Sequence, residues 1–379
     1  MTAGPNTAFD VAIVGMGIVG LAHAYWAARA GRRVVVFDRD AKASGASIRN
    51  FGFVTVTGQA PGDMWSLARR SRDIWASIAP ALSTPIQHYG LAVVAQRPDA
   101  LPVLDAFKDT QMGTDCDIMT IGQLKQRHPG LPFDDRLTAL VSPYELRFDA
   151  PQAIPAVTQY LEKEWDVCFR PKTSVLSIDG HIIGTSQGDI RADHIIICPG
   201  ADFTGLFAEQ IADRHVKKCK LHMLRLADPG FRLPFAIQSD LSLVRYEGYA
   251  TLPQAEQLMT TLKKEQPDHL ENGIHLIVVQ NADGSLVVGD SHHYADAPTP
   301  FYDSRVEALI LQEFEALFQM APPPVLERWT GIYPYASTPY FVDSPTPQSR
   351  LVLVTCGAGM STAFGIAEKT VNNLLGTDT

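Results

Sequence analysis

Apolar residues in this chain gather into short runs broken by glycines, prolines and acids, and the runs themselves predict an alternation of strands and helices. Val11 to Val14 form an apolar run of strand length. The Ala- and Leu-rich stretch from Ile18 to Ala30 reads as a buried helix that stops at Gly31, and Val34 to Phe37 make the next strand, closed by Asp38. Far downstream, His194 to Cys198 is a strand ending in Pro199–Gly200, and Leu351 to Thr355 is another, followed by a helix from about Thr362 to Leu375. Between these parts the pattern changes. "HMLRLA" around Arg225 and "LVRYEGY" around Arg245 alternate as strands do, and "SLVVGDS" makes a strand before His292. A helix is expected between Tyr302 and Phe318, and the proline run of "APPPVLERW" (Ala321 to Trp329) forbids regular helix.

The turns carry the chemistry. Gly15, Gly17 and Gly20 of "GMGIVG" fall in G-x-G-x-x-G spacing between a strand and a helix, the arrangement of a βαβ dinucleotide unit. The glycines permit the tight turn and let backbone approach a pyrophosphate at the helix N-terminus, where Ile18 and Val19 also lie, and Asp38 can accept from a ribose hydroxyl. With Asp38 there and no arginine in its place, NADP is disfavoured; NAD and FAD both remain. The second glycine loop, "CGAGMSTAFG" from Cys356 to Gly365, decides between them. One or two adjacent βαβ units complete an NAD site, whereas a flavin reaches well beyond the pyrophosphate and its pyrimidine end must be held as well. Reduced flavin carries negative charge there, which a helix N-terminus stabilises. The two loops therefore read as grips on opposite ends of one FAD. Gly15, Gly17, Ile18, Val19, Gly20, Asp38 and Arg39 lie at one end, Gly200 follows the middle strand, and Gly357, Gly359, Met360, Ser361 and Thr362 lie at the other.

Composition narrows the setting. The chain has 379 residues, 46% of them hydrophobic, enough for one large core or two domains. No window approaches eighteen uninterrupted apolar residues, so no transmembrane helix is expected, and "MTAGPNTAFD" reads as a short loose tail rather than a signal peptide. Five cysteines without C-x-x-C spacing argue against a disulfide framework or a zinc site and fit a reducing cytoplasm. Net charge is −9 and the longest basic run, Lys217 to Lys220, is too short for a nucleic-acid patch. Neither a nucleic-acid nor a membrane partner is expected, and an anionic ligand must be held by a few aimed donors. Oligomeric state, a homo-oligomer included, is left open.

These motifs, with "GASIRNFG" (Gly45 to Gly52), "IIICPGAD" and "GSLVVGD" (Gly284 to Asp290), resemble the glycine oxidase, D-amino acid oxidase and sarcosine oxidase family of FAD-dependent amine oxidoreductases, from Asp10 to about Leu375. The resemblance implies an α/β architecture: a Rossmann-like FAD domain in discontinuous pieces (about 1–85, 145–212 and 330–379) and an antiparallel-sheet substrate domain (86–144 and 213–329) that roofs the flavin. It also implies that Ser47, Arg49 and Asn50 lie along the flavin, that Val175 meets the adenine through its backbone, and that Gly359 to Thr362 approach the pyrimidine end. Within the family, "LAHAYWAA", "CKLHMLRL", "LVRYEGYA" and "GSLVVGDSHHY" look like a branch associated with bacterial phosphonate catabolism. That branch implies oxidation of 2-aminoethylphosphonate or its N-methyl relative to phosphonoacetaldehyde plus ammonia or methylamine.

The departures from the family bear on substrate. Tyr333 of "GIYPY" stands where glycine oxidases carry a carboxylate-clamping arginine, and Met360 where a second arginine often sits. Substitute donors for a small anionic amine are Arg245, Arg225, His222, His292, His293, Tyr333 and Tyr335. A phosphonate is tetrahedral and needs donors from several directions. Against each stands a plainer role: Arg225 paired with a carboxylate, Tyr333 packed over the flavin, and one of the adjacent His292–His293 pair turned away by strand alternation. No third ligand at suitable spacing suggests a metal. Val287 occupies the place of the oxygen-activating lysine of sarcosine oxidases, so the electron acceptor, O2 or another, stays open. No cysteine lies near "GIYPY" to attach the flavin, so non-covalent FAD is expected. Two other readings remain: an amino-acid oxidase with a relocated carboxylate clamp, and a flavoprotein whose FAD is structural.

Overall fold

The computed structural model describes residues 8–376; the amino-terminal tail up to residue 7 lies outside the described residues. The Ala8–Val14 strand runs parallel to Val34–Phe37 on one side and Gly188–Ile197 on the other, and the sheet continues in parallel to Cys168–Arg170 and Ser349–Cys356 at its two flanks. Their apolar runs are continuous because both faces are covered. Val11, Ile13, Val34 and Val36 pack under helices Ile18–Arg29 and Gly359–Leu375 with Leu21 and Phe364, while Phe9, Ala12, Val35 and Phe37 face a separate cluster with Ile195 and Leu353. The first glycine turn is as tight as its spacing implies. A Cβ on Gly20 would lie 1.9 Å from the Gly15 carbonyl oxygen, and one on Gly15, at φ +109°, would lie 2.3 Å from the Cys198 oxygen. The second helix begins at Gly359, three residues before the position expected from sequence. The Ala358 carbonyl already accepts from the Ser361 and Thr362 N–H groups once Gly357, at φ +77°, has turned the chain.

The second sheet, continuous with the first through Val325–Asp343, is built on Lys217–Leu226, which pairs antiparallel with Val325–Asp343, Leu286–Gly289 and His293–Ala295. It extends through Ile277–Gln280 and Ala236–Ser239 to His88–Ala95 and Thr138–Arg147. One pair departs from the antiparallel expectation: Ala236–Ser239 runs parallel to His88–Ala95. The largest apolar cluster, with Val93, Phe107, Leu224, Ile237, Val279 and Phe314, fills this half. The helix expected near Tyr302 is Ser304–Phe318, its start set by the Asp303 carboxylate accepting from the Arg305 N–H.

One further expectation is corrected. "LVRYEGY" is not a strand: a 3-10 turn over Asp240–Val244 ends at Arg245, and a short helix covers Glu247–Ala250. The Ser242 carbonyl accepts from the Arg245 and Tyr246 N–H groups, and Gly248 lies against the backbone of Gly58 and Gln59, which holds the segment coiled. The boundaries drawn near 144/145 and 329/330 fall inside the Thr138–Arg147 and Val325–Asp343 strands, so the chain passes between its two halves along continuous strands.

Arg147 ties those halves together. It is 1% exposed and donates to the carbonyls of Phe51 and Gln280 and to Asn281 Oδ1, joining the segment after Asn50 to a turn of the second sheet. Its removal leaves buried acceptors without donors, each costing roughly 1–3 kcal/mol. Arg147→Met is therefore expected to lower the melting temperature by several degrees. A melt followed by circular dichroism checks this, and an unchanged midpoint contradicts it.

Candidate functional site

Between the two sheets lies a continuous cavity of about 1110 Å³. That is larger than the usual small-ligand pocket of roughly 300–1,000 Å³ and has room for a long cofactor with a substrate at one end. Gly15, Gly17, Ile18, Val19, Gly20, Asp38 and Arg39 line one end. Ser47, Arg49, Asn50, Val175 and Gly200 line its length, and Gly357, Gly359, Met360 and Ser361 lie further along.

The lining suits a flavin dinucleotide on grounds of its own. The N-cap residues of the two helices that point into the cavity, Gly17 before Ile18–Arg29 and Ala358 before Gly359–Leu375, make no side-chain cap bond, which leaves first-turn N–H groups for an anionic or carbonyl group. Asp38 is fixed in place by backbone donors. One carboxylate oxygen accepts from the Met16 N–H at 2.8 Å and the other from the Asp40 N–H at 2.9 Å, with further lone pairs left for ribose hydroxyls. Ser47 Oγ accepts from the Ile18 N–H at 3.0 Å and so braces the turn. Asn50 is spent on structure, donating to the Ala46 carbonyl and accepting from the Gly52 N–H. Arg39 is ion-paired with Asp202, which also lines the cavity. Thr362 is the exception: its hydroxyl donates back to the Ala358 carbonyl at 2.9 Å, and it does not line the cavity.

The far end is formed by the second sheet. Arg245, Tyr294, Tyr333 and Tyr335 share its wall with His275, Asp290 and His292. Arg245 is half-buried and donates to the Tyr294 hydroxyl at 2.8 Å, yet no carboxylate among the described residues comes within ion-pair distance of it. Burial works against its charge; Tyr294, Tyr333 and Asp290 more than offset that and hold its pKa above the ordinary arginine value. Burial pushes the Tyr294 and Tyr333 phenols upward, so both are neutral donors. The Tyr335 ring packs on Tyr294 with centroids 4.2 Å apart, and Tyr333 lies against Gly357, where a Cβ would be 3.1 Å from its ring.

Three of the proposed anion donors stand elsewhere. Arg225 is paired with Asp283 at 2.5 Å and Glu327 at 3.0 Å and bonded to Ser285. His222 is bonded to Ser291 and accepts from the Asp303 N–H. His293 begins the His293–Ala295 strand and faces His222, while His292 faces the cavity, as alternation of neighbours requires. Sequence reasoning passed over Asp290 and His275. Asp290 closes the quoted "GSLVVGD", but its role was invisible until the following residues were seen to turn it inward; His275 carries no motif at all. With His292 they bring three possible metal-ligand atoms within 4.8 Å of one another, contrary to the expectation that no third ligand was near. The Arg245 guanidinium, charged and close enough to bias all three groups, opposes a divalent ion there.

The family model described as FAD dependent oxidoreductase (DAO) matches residues 10–372. A glycine oxidase from Geobacillus kaustophilus is 24% identical over 209 residues, a match that covers 51% of this chain and 55% of that relative. Among solved structures, a glycine oxidase from Bacillus cereus superposes with a TM-score of 0.75 at 16% identity, covering 98% of this chain and 96% of its own. An iminodiacetate oxidase from Chelativorans sp. superposes at 0.71 and 19% identity, covering 97% and 96%. At those identities the structural likenesses speak to fold alone.

Arg245→Ala is expected to weaken binding of small anions about tenfold to a hundredfold without loss of bound flavin, as removal of a charged donor from a half-buried site does. Titrating the flavin absorbance with ethylphosphonate checks this. Arg225→Ala, which breaks two ion pairs and the bond to Ser285 away from the cavity, is expected to leave that titration unchanged.

Proposed function

Because the chain belongs to the DAO family of FAD-dependent oxidoreductases, we propose that it oxidises the C–N bond of a small amine bearing an anionic group, 2-aminoethylphosphonate or its N-methyl derivative foremost. The products are phosphonoacetaldehyde and ammonia or methylamine. The observation that carries this reading is Arg245, a charged guanidinium on the cavity wall that bonds a phenol and makes no ion pair among the described residues. Its Tyr294 partner, with Tyr333 and Tyr335 from the neighbouring strand, offers hydroxyl donors from several directions, which a tetrahedral dianion uses better than a planar carboxylate does. In this reading the wall fixes the anion and thereby the reacting C–H, and most of the rate comes from that positioning. Bound FAD supplies the acceptor for the hydride and its electron pair. The oxidised imine then takes up water at carbon and releases the amine. The five free cysteines accord with work in a reducing cytoplasm, and no helix among the described residues is long and apolar enough to cross a membrane.

A second reading has its own observation. A lone guanidinium can also grip a carboxylate through two parallel N–H donors, so Arg245 serves equally as the relocated clamp of an oxidase for glycine, sarcosine or a D-amino acid.

Anaerobic mixing of the flavin-loaded protein with 2-aminoethylphosphonate, its N-methyl form, glycine and sarcosine separates the two. Bleaching of the flavin by the aminophosphonates alone is expected; bleaching by glycine or sarcosine alone moves the assignment to the amino acids, and bleaching by none removes both. Repeating the reaction in air with a peroxide assay reads whether oxygen takes the electrons.

A further inference from the structure

His292 is 8% exposed and Asp290 5%, and both open onto the cavity. Their polar atoms are arranged unusually. His292 Nδ1 lies 2.9 Å from the Gly273 carbonyl oxygen, which only accepts, so that nitrogen carries the proton and Nε2 is left with a lone pair. Nε2 faces Asp290 Oδ2 at 3.9 Å. Asp290 Oδ1 lies 3.2 Å from His275 Nε2 but has no hydrogen-bond partner among the described residues. A buried carboxylate thus meets an imidazole lone pair with no donor between them, an arrangement that native interiors avoid unless something fills it. Arg245, the opposite charge on the same wall, makes no ion pair with Asp290. The wall therefore holds one positive and one negative group side by side without letting them neutralise each other.

We infer that His292 and Asp290 form the receiving site for the ammonium of a zwitterionic substrate whose anion lies on Arg245, and that Asp290 takes the ammonium proton before oxidation while His292 Nε2 accepts a hydrogen bond from the same nitrogen. This rests on the reading of the protein as an amine oxidoreductase. One nitrogen about 2.8–2.9 Å from each acceptor spans their separation. The step moves a proton only: an N–H bond of the substrate breaks, an O–H bond forms on Asp290, and the amine keeps the lone pair it needs to release hydride. Asp290 and His292 both touch the substrate nitrogen, the one as base and the other as hydrogen-bond acceptor.

The other groups around the cluster agree with this. Arg245 comes from the 3-10 turn, Tyr246 from the residue after it, His275 from the loop before Ile277–Gln280, His293 and Tyr294 from the adjoining strand, Cys219 from Lys217–Leu226 and Tyr333 from Val325–Asp343. Burial first and Arg245 second push His275 and His292 well below the usual histidine range, so both rings wait neutral. Burial pushes the Asp290 carboxyl up to about 7, with Arg245 opposing. Above that pH the cluster is anionic and open to a proton; below it the proton is already there.

Asp290→Asn and His292→Gln test this, with His293→Gln, whose ring lies outside the cavity, as control. In the wild type, the rate constant of flavin reduction per unit substrate concentration is expected to fall tenfold per pH unit below about 7. In Asp290→Asn only amine that arrives already neutral reacts, so the inflection near pH 7 is expected to vanish and the rate constant to go on rising about tenfold per pH unit toward the amine's own pKa, roughly 10, whereas the wild type levels off above about 7. An Asp290→Asn variant with the wild-type pH profile overturns the inference. A second arm needs no oxidation: 2-amino-2-methylpropylphosphonate, which has no hydrogen on the carbon bearing nitrogen, is expected to bind Asp290→Asn at least tenfold more weakly than wild type. Ethylphosphonate, which has no amine, binds both alike. Equal loss for the two ligands would mean general damage to the site and would also overturn it. If no amine reduces the wild-type flavin, the functional reading fails, and the binding arm still reports whether the ammonium site exists.

Discussion

One strand sets the geometry of the whole site. Val325–Asp343 hydrogen-bonds along Lys217–Leu226 in the second sheet and along Ser349–Cys356 in the first, and Tyr335 is paired with both Lys217 and Cys356 where the two meet. The backbone that supplies Tyr333 and Tyr335 to the substrate wall is thus fixed, through the same ladder, to the strand that leads into the second glycine loop. The distance between wall and flavin is set by β-pairing rather than by a flexible linker, and Arg147 reinforces it from the opposite side. For chemistry that depends on holding a C–H bond at a fixed place, that rigidity is the main physical asset of the fold.

The dinucleotide half was legible in the sequence because its signals are local. Gly15, Gly17, Gly20 and Asp38 lie within one βαβ unit, and a turn that tolerates no Cβ at Gly20 can be read without knowing what packs around it. The substrate half was legible only in part, because its residues acquire their roles through contacts distant in sequence. Arg225 and Arg245 sit in similar alternating stretches; Asp283 and Glu327, far along the chain from Arg225, tie that one down, and no carboxylate among the described residues does the same for Arg245. Periodicity also misread "LVRYEGY", whose alternation is compatible with a strand but whose backbone is held coiled by the Ser242 carbonyl and the close approach of Gly248. Asp290 and His275 meet only because adjoining segments bring them together, which no spacing rule anticipates.

The charges at the substrate end are few and deliberate. Several tyrosines and two neutral histidines accompany Arg245 and Asp290 there, with Lys218 and the exposed Glu247 also on the lining, in a protein of net charge −9 whose surface is otherwise richly ion-paired. Phenols supply hydrogen bonds there without adding charge.

The two glycine loops have a consequence for how the protein is made. On the ribosome the Gly15–Gly20 turn emerges first, but the parallel sheet beneath it is incomplete until Ser349–Cys356 has left the exit tunnel and docked against Gly188–Ile197. The cleft for the cofactor is closed only when Ser349–Cys356 and Gly359–Leu375 are in place. A chain released before Ser349 thus carries the first grip on the cofactor without the second.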